Sequence, residues 1–166
     1  MTETTLPAII SDLHAKFPLA ITDTLDTYGM VALSINSDAL IEISNYLVSQ
    51  GFTFLVDLCG VHYPDHAEPK IGVVYQFMNM VQNVRIRLKV LVPDTPTATI
   101  PSLTGIFAAS NWMERETYDF YGIQFSGHPD LRRILNEDEM TYFPMRKEYP
   151  LEDDTRTDKS DVMFGR

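Results

Sequence analysis

A single cysteine, Cys59, occurs in 166 residues. No internal disulfide can form, and the chain cannot by itself hold an iron–sulfur cluster of the usual kind, which takes four cysteine ligands. A lone cysteine within a strand is expected to be a small buried packing residue. Long apolar runs are missing too: none approaches the ~20 residues of a membrane span. The opening MTETTLPAII has neither the positive start nor the apolar core of a secretory signal. The expectation is a cytoplasmic chain unless a partner carries it to a membrane. Positive charge is scarce, with 13 Lys and Arg against 23 Asp and Glu and a net charge of -10. Phosphate backbones are bound by clustered cations that release counterions, so nucleic acid is not an expected partner. Gly-x-Gly-x-x-Gly, a Walker-type phosphate loop and Cys-x-x-Cys are all absent, which leaves the isolated chain unequipped for nucleotide-dependent or dithiol redox chemistry.

What is present fits one globular domain: 45% of the residues are hydrophobic, and a chain near this size buries roughly 70% of its unfolded surface. Pro7 suits the first turn of a helix in which Ile9, Ile10, Leu13 and Phe17 recur at helical spacing until Pro18. Residues 28–35 read as a strand, and Asn36 or Ser37 as the cap of a helix with Leu40, Ile43 and Leu47 inward, closed by Gly51. FTFLVDL, 52–58, reads as a central strand covered on both faces, followed by a loop over 60–69. Two strands with a turn near Gln82-Asn83 fill 71–92. In the second, Val84, Ile86, Leu88, Val90 and Val92 face one way and Arg85, Arg87 and Lys89 the other. Ser102 is placed to cap a helix starting at Leu103 and broken near Ser110-Asn111. The architecture predicted is a single α+β domain, a small mixed sheet with a long hairpin packed by helices, with a core over 1–135 and an extended C-terminal arm over 136–166. From 145 onward prolines and acids dominate without an apolar stripe, and too little apolar surface is available there to offset ordering entropy of ~1–2 kcal/mol per residue.

The densest chemistry lies in NWMERETYDFYGIQFSGHPDLRRIL, 111–135. Asn111 with Glu114 makes a capping box in its asparagine form, and Gly122 supplies the stop. At about 100° per residue, Trp112, Arg115, Glu116 and Asp119 share one arc with Phe120 and Met113 at its edge, while Glu114, Tyr118 and Tyr121 point elsewhere. Arg115 and Asp119 stand four apart and are expected to pair. Glu116, between Trp112 and Phe120, has no intrahelical partner and is expected to be satisfied from outside the helix. Residues 123–125 read as a short extended piece ending at Phe125, Ser126-Gly127 as a turn, and His128-Pro129 as an extended dipeptide. Arg132 and Arg133 follow within reach of the carboxylates.

Paired carboxylates serve general acid–base work, so a free-standing hydrolase using the carboxylates within 114–133 is one reading; structural salt bridging is the simpler one. Cys59, His62, Asp65, His66 and Glu68 crowd a single stretch that in principle could ligate zinc, although a loop rich in His, Asp and Pro needs no metal. The row Arg85, Arg87, Lys89 fits a solvated sheet face, an acidic partner or the chain's own acidic tail.

WMERETYDFYGIQFSGHPDLRRIL strongly resembles the signature of the C-subunit family of proton-pumping NADH:quinone oxidoreductase, respiratory complex I, which carries W-x-E-R-E-x-Y-D followed by F/Y-G-I-x-F-x-G-H-P-D-L-R-R-I-L. The resemblance extends from VVYQFMNMVQNVRIRLKV to Arg146–Leu151, with the N-terminal third alike in layout more than in letters. The family often reads D-L-x-x-V-D-Y-P where this chain has DLCGVHYP, with His62 in the place of an acid. The resemblance implies a non-catalytic scaffold with no cofactor of its own. It implies placement in the peripheral arm at the cytoplasmic side of the bacterial inner membrane, against the large quinone-site subunit and the cluster-bearing quinone-reducing subunit. FMN, iron–sulfur clusters, NADH and quinone then belong to other subunits. It also implies that Glu116, His128, Arg132 and Arg133 bridge to one another or to a partner, and that Gly122 and Gly127 permit sharp turns. Related subunits occur in membrane-bound hydrogenases and ferredoxin-fed complexes, where the electron donor is set by other chains.

Overall fold

The computed structural model describes residues 6–149 except 28, 66, 67 and 69. Helix α1 (Leu6–Lys16) leads into strands β1 (Ile21–Thr27) and β2 (Met30–Ile35), helix α2 (Leu40–Ser49), and the long strands β3 (Phe54–Tyr63), β4 (Lys70–Asn79) and β5 (Val84–Pro93). A short strand β6 (Thr99–Pro101), helix α3 (Ser110–Tyr121) and strand β7 (Gln124–Ser126) follow. The main sheet has the order β1-β2-β5-β4-β3. Its β2–β5 pairing is parallel and the others antiparallel, while β6 and β7 form a parallel pair of their own. This is the expected α+β domain with a mixed sheet.

The alternation read in β5 sets the layers. Ile86, Leu88 and Val90 are buried, as are Val31, Leu33 and Ile35 of β2 and Ile71, Val73, Tyr75 and Phe77 of β4. They form one apolar cluster with Ile9 and Leu13 of α1, with Leu40, Ile43 and Leu47 of α2, and with Phe107, Ile123 and Phe125. The alternate positions, Ala32 and Ser34, Val74, Gln76 and Met78, Arg87 and Lys89, remain half-buried, as on a sheet with one face turned to solvent. The hairpin turn is built by Asn79, whose side-chain oxygen accepts the amides of Val81 and Gln82 at 3.0 Å each, and by Asn83 at φ 53°.

Several expectations are corrected. β3 is an edge strand, not a central one: an apolar run of strand length does not reveal whether both of its sides are paired. β3 also runs on through residues expected in the following loop, and Cys59 on it is exposed. β1 escapes pattern reading because ITDTLDT is broken by Asp23 and Asp26; pairing with β2 holds it. Neither Asn36 nor Ser37 caps α2, which is entered through a 3-10 turn at Ser37–Ala39. Asn36 instead donates through its amide to the Leu19 carbonyl at 3.1 Å. Finally, Leu103 starts turns rather than a helix, with the Phe107 amide closing on the Leu103 carbonyl at 2.8 Å.

The last described residues lie against the core. The amide of Met145 donates to the carbonyl of Phe120 at 3.1 Å and Nε of Arg146 to that of Tyr121 at 2.8 Å. The tail reading for 150–166 falls outside the described residues.

Candidate functional site

α3 ends as the sequence predicts. Gly122 adopts a left-handed conformation (φ 77°), its amide closing on the Tyr118 carbonyl, and a Cβ there would stand 2.5 Å from the Phe143 ring. The start differs. The cap position is Ala109, Asn111 lies inside the helix and no side chain caps it. The capping box does not form because Glu114 is turned inward. Its carboxylate accepts the Ser102 hydroxyl at 2.6 Å and the Leu103 amide at 2.7 Å. Ser110, Glu114 and Thr117 are buried, with Met113 and Tyr121 packed against the core beside them. Of the arc expected to carry the apolar stripe, Trp112 and Glu116 face outward instead: Trp112 is 57% exposed and Glu116 is exposed. The inner stripe of α3 is polar because it holds the 102–107 turns: Glu114 accepts the Leu103 amide, and Ser110 Oγ donates at 2.8 Å to the Phe107 carbonyl, which the Ser110 amide also meets at 3.1 Å.

Arg115 and Asp119 do not pair with each other; both reach the segment after β7. Arg115 donates to the carbonyls of Arg132 and Arg133 at 3.2 and 2.8 Å. Asp119, fully buried, accepts Arg133 Nη1 at 2.7 Å and the amides of Ile134, Leu135 and Asn136 at 3.1, 2.8 and 2.8 Å. Burial pushes its carboxyl up, but the three amides and the guanidinium outweigh that and hold it well below the ordinary carboxylate range. Burial also pushes Glu114 up, and there it wins over the lowering hydrogen bonds from Ser102 and Leu103.

Arg133 spends its remaining donors on the carbonyls of Met140 and Tyr142 at 2.7 and 3.0 Å, and its guanidinium lies 5.1 Å over the Phe143 ring. Tyr118 meets that ring edge-on at 6.1 Å. Before this segment, Phe125 is buried in β7 and Gly127 turns the chain at φ 82°. His128 then accepts the Asp130 amide on Nδ1 and donates from Nε2 to the Asn111 carbonyl, both at 3.0 Å. Pro129 falls between them. Among the described residues Arg132 pairs with Asp130 alone, at 2.8 Å, and both are exposed; such surface pairs contribute ~0–1 kcal/mol. The structure thus ties Glu114, Arg115, Asp119, His128 and Arg133 into the chain's own hydrogen bonds. Glu116 has no hydrogen bond or ion pair among the described residues.

A second polar cluster went unread in the sequence. His62, buried on β3, accepts the Lys147 amide on Nδ1 at 3.1 Å and donates from Nε2 to Asp94 at 3.0 Å. Arg146 bridges Asp94 at 3.1 Å and Glu148 at 3.8 Å. The side chains of His62, Asp94 and Glu148 come close enough for a metal ion, but both imidazole nitrogens are engaged and a guanidinium already sits against both carboxylates. The set fits a clasp better than a metal site. No local spacing signals a clasp between residues 85 positions apart. The grouping of Cys59 with His62 as ligands does not form, since Cys59 is exposed and His62 buried; His66 lies outside the described residues.

In the basic row, Arg87 donates to the Gln76 side-chain oxygen at 2.7 and 2.9 Å and the Lys89 ammonium lies 5.9 Å from the Tyr63 ring centre. Arg85 is exposed.

The family model for the respiratory-chain NADH dehydrogenase 30 Kd subunit matches residues 33–155. The chain is 42% identical over 127 residues to the C-subunit of NADH-quinone oxidoreductase from Mesorhizobium japonicum, covering 75% of this chain and 62% of that one. It is 39% identical over 150 residues to the protein of the same name from Xanthobacter autotrophicus, covering 88% and 70%. The chain therefore spans about two thirds of the length of these relatives. A solved structure of the trypsin-resistant fragment (1-134) of Nqo5 superposes with a TM-score of 0.65 at 28% identity, over 76% of this chain and 98% of that one. A chain of the membrane-bound sulfane sulfur reductase, an archaeal respiratory membrane complex, shares the fold with a TM-score of 0.75 at 21% identity, over 87% and 85%. A signature helix whose buried carboxylates anchor the segments around it is thus joined to a match over most of the sequence, and the chain belongs to the family of the respiratory-chain NADH dehydrogenase 30 Kd subunit.

Proposed function

We propose that the chain is a non-catalytic subunit of the peripheral arm of a proton-translocating NADH:quinone oxidoreductase. On this reading it scaffolds the quinone-reducing module at the cytoplasmic side of the bacterial inner membrane. Its partners are the large quinone-site subunit and the cluster-bearing quinone-reducing subunit; FMN, iron–sulfur clusters, NADH and quinone are held elsewhere in the assembly. The family match over residues 33–155 carries the proposal. The geometry supports it: Glu114 and Asp119 are buried on donors from their own chain, and a general base must reach a substrate proton. These carboxylates set the course of the chain rather than await a substrate, which disfavours the hydrolase reading.

The test is to tag the chain at its native level and purify it from detergent-solubilised membranes. NADH:quinone activity should co-elute with the tag, and the chain purified alone should show no visible absorbance from a flavin or cluster. Activity that elutes free of the chain, or a stoichiometric chromophore on the isolated chain, would overturn the proposal.

A further inference from the structure

A cleft of about 390 Å³ opens between β3 and α3, lined by Asp57, Cys59, Glu116, Phe120, Tyr121 and Met145 among others. Its floor includes the buried Leu58 and Thr117 and its rim the exposed Glu116. Trp112, Glu116 and Phe120 follow at i, i+4 and i+8, the spacing of one helical face; the Trp112 side of this face is 57% exposed and Met145 is 54% exposed. The face is therefore aromatic and thioether surface interrupted by a carboxylate. Among the described residues its charge has one sign: Asp57 and Glu116 line the cleft, and no lysine or arginine does. Among the described residues Glu116 has no hydrogen-bond or ion-pair partner, and Asp57 accepts the amide of its own neighbour Leu58 alone, at 2.9 Å. Arg87, whose charge is felt at Cys59, is turned to Gln76.

Some occupants are excluded by this chemistry. Asp57, Cys59 and Glu116 do not converge on one point as His62, Asp94 and Glu148 do, so a compact metal ion cannot join them. A second copy of the chain would bring a net charge of -10 against another -10. What fits separated carboxylates with apolar walls is a long cation with a planar, multi-donor head. An arginine side chain is such a group: it lays its stem on apolar surface, stacks on aromatic rings and donates in several directions at once. Tryptophan and arginine are also the residues that most often dominate protein interfaces.

We infer that this cleft receives an arginine from a partner polypeptide, its guanidinium between Glu116 and Asp57 and its flanking residues over Trp112, Phe120 and Met145. The inference rests on the reading of the chain as a subunit of a larger assembly, and gives that subunit a docking point. Its sole cysteine lies in the cleft, which supplies a native reporter. Iodoacetamide labelling of Cys59 at fixed pH should be at least tenfold slower in the tagged assembly purified from membranes than in the free full-length chain. In parallel, the double variant Asp57→Asn, Glu116→Gln should leave the urea midpoint of the free chain unchanged, since both side chains are exposed, yet lower the amount of the chain in the assembly at least tenfold. Equal labelling rates in free and assembled chain, or an undiminished yield of assembly with the double variant, would overturn the docking point while leaving the subunit reading intact. Absence of the wild-type chain from any membrane assembly would overturn both.

Discussion

Asp119 accepts four hydrogen bonds on two oxygens, one from Arg133 and three from consecutive amides. Replacing it with alanine strands a buried guanidinium and three amide donors together. Asp119→Ala should cost about 3–5 kcal/mol, the range for removing one partner of a buried pair, read as a fall in the urea midpoint at unchanged slope. Its folded carboxyl is held below the unfolded value of ~3.9. The stabilisation is therefore complete above about pH 4 and is withdrawn as the pH falls further toward the folded value. Glu114 has the opposite sign. Because its carboxyl is raised in the fold, the folded state binds the proton more tightly, and stability declines as pH rises from the unfolded value of ~4.3 through the raised one. The stability of the natural chain minus that of Glu114→Gln should accordingly shrink between pH 4 and pH 7 in paired urea titrations; a difference constant with pH would remove the charge from this account. These roles were half legible. That Asp119 and Arg133 belong to one constellation could be seen in the signature, but spacing alone paired Asp119 with Arg115, because sequence shows what a helix offers and not what the chain brings back to it. Glu114 is ambiguous in the sequence for the same reason: a capping box and a carboxylate serving a neighbouring turn have identical letters.

Among the elements, α3 and β3 are held at a close approach that Gly60 makes possible. A Cβ at residue 60 would stand 2.3 Å from the Tyr121 ring, with two further ring carbons within 2.9 Å. Gly60→Val should push the helix off the strand and cost about 1–3 kcal/mol, the range for overpacking. Emission from Trp112, the sole tryptophan and one carried by α3, should report the shift; an unchanged spectrum and midpoint would mean that the ring simply turns aside. Element by element, legibility followed periodicity. β5 was readable because Ile86, Leu88 and Val90 alternate with cations, and α1 and α2 because their apolar residues recur at helical spacing. β1 was not, since Asp23 and Asp26 have low strand preference and only the register with β2 supplies the missing bonds. The turns after Ser102 read as a helix start because a serine before an apolar residue is a cap signal. Here its hydroxyl is donated to Glu114, and the Thr104 amide closes on it at 3.1 Å.

At the scale of the whole molecule, the clasp at His62 fastens residues 146–148 to the far end of β3 and to Asp94 just past β5. His62→Ala leaves the Lys147 amide without its acceptor and should cost about 1–3 kcal/mol. In a chain of this size that corresponds to a lower melting temperature by ~2–4 °C per kcal/mol; a melting temperature within about 1 °C of the natural chain would show that water takes over the imidazole's bonds at ~0 net cost. The strand order also bears on how the chain is made. Val31 of β2 lies beside Ile86 of β5, so the inner edge of β2 stays unpaired until β5 has been synthesised, several seconds later at ~5–20 residues per second. An isolated two-stranded ribbon is marginal in water at best, so the β1–β2 and β3–β4 pairs become a stable sheet only when β5 takes its place between them. Stalled nascent chains ending before residue 84 should exchange the amides of 31–35 freely, and those extended far enough for residue 93 to clear the exit tunnel should protect them. Early protection would mean that something else, such as a chaperone or a non-native strand, guards that edge during birth.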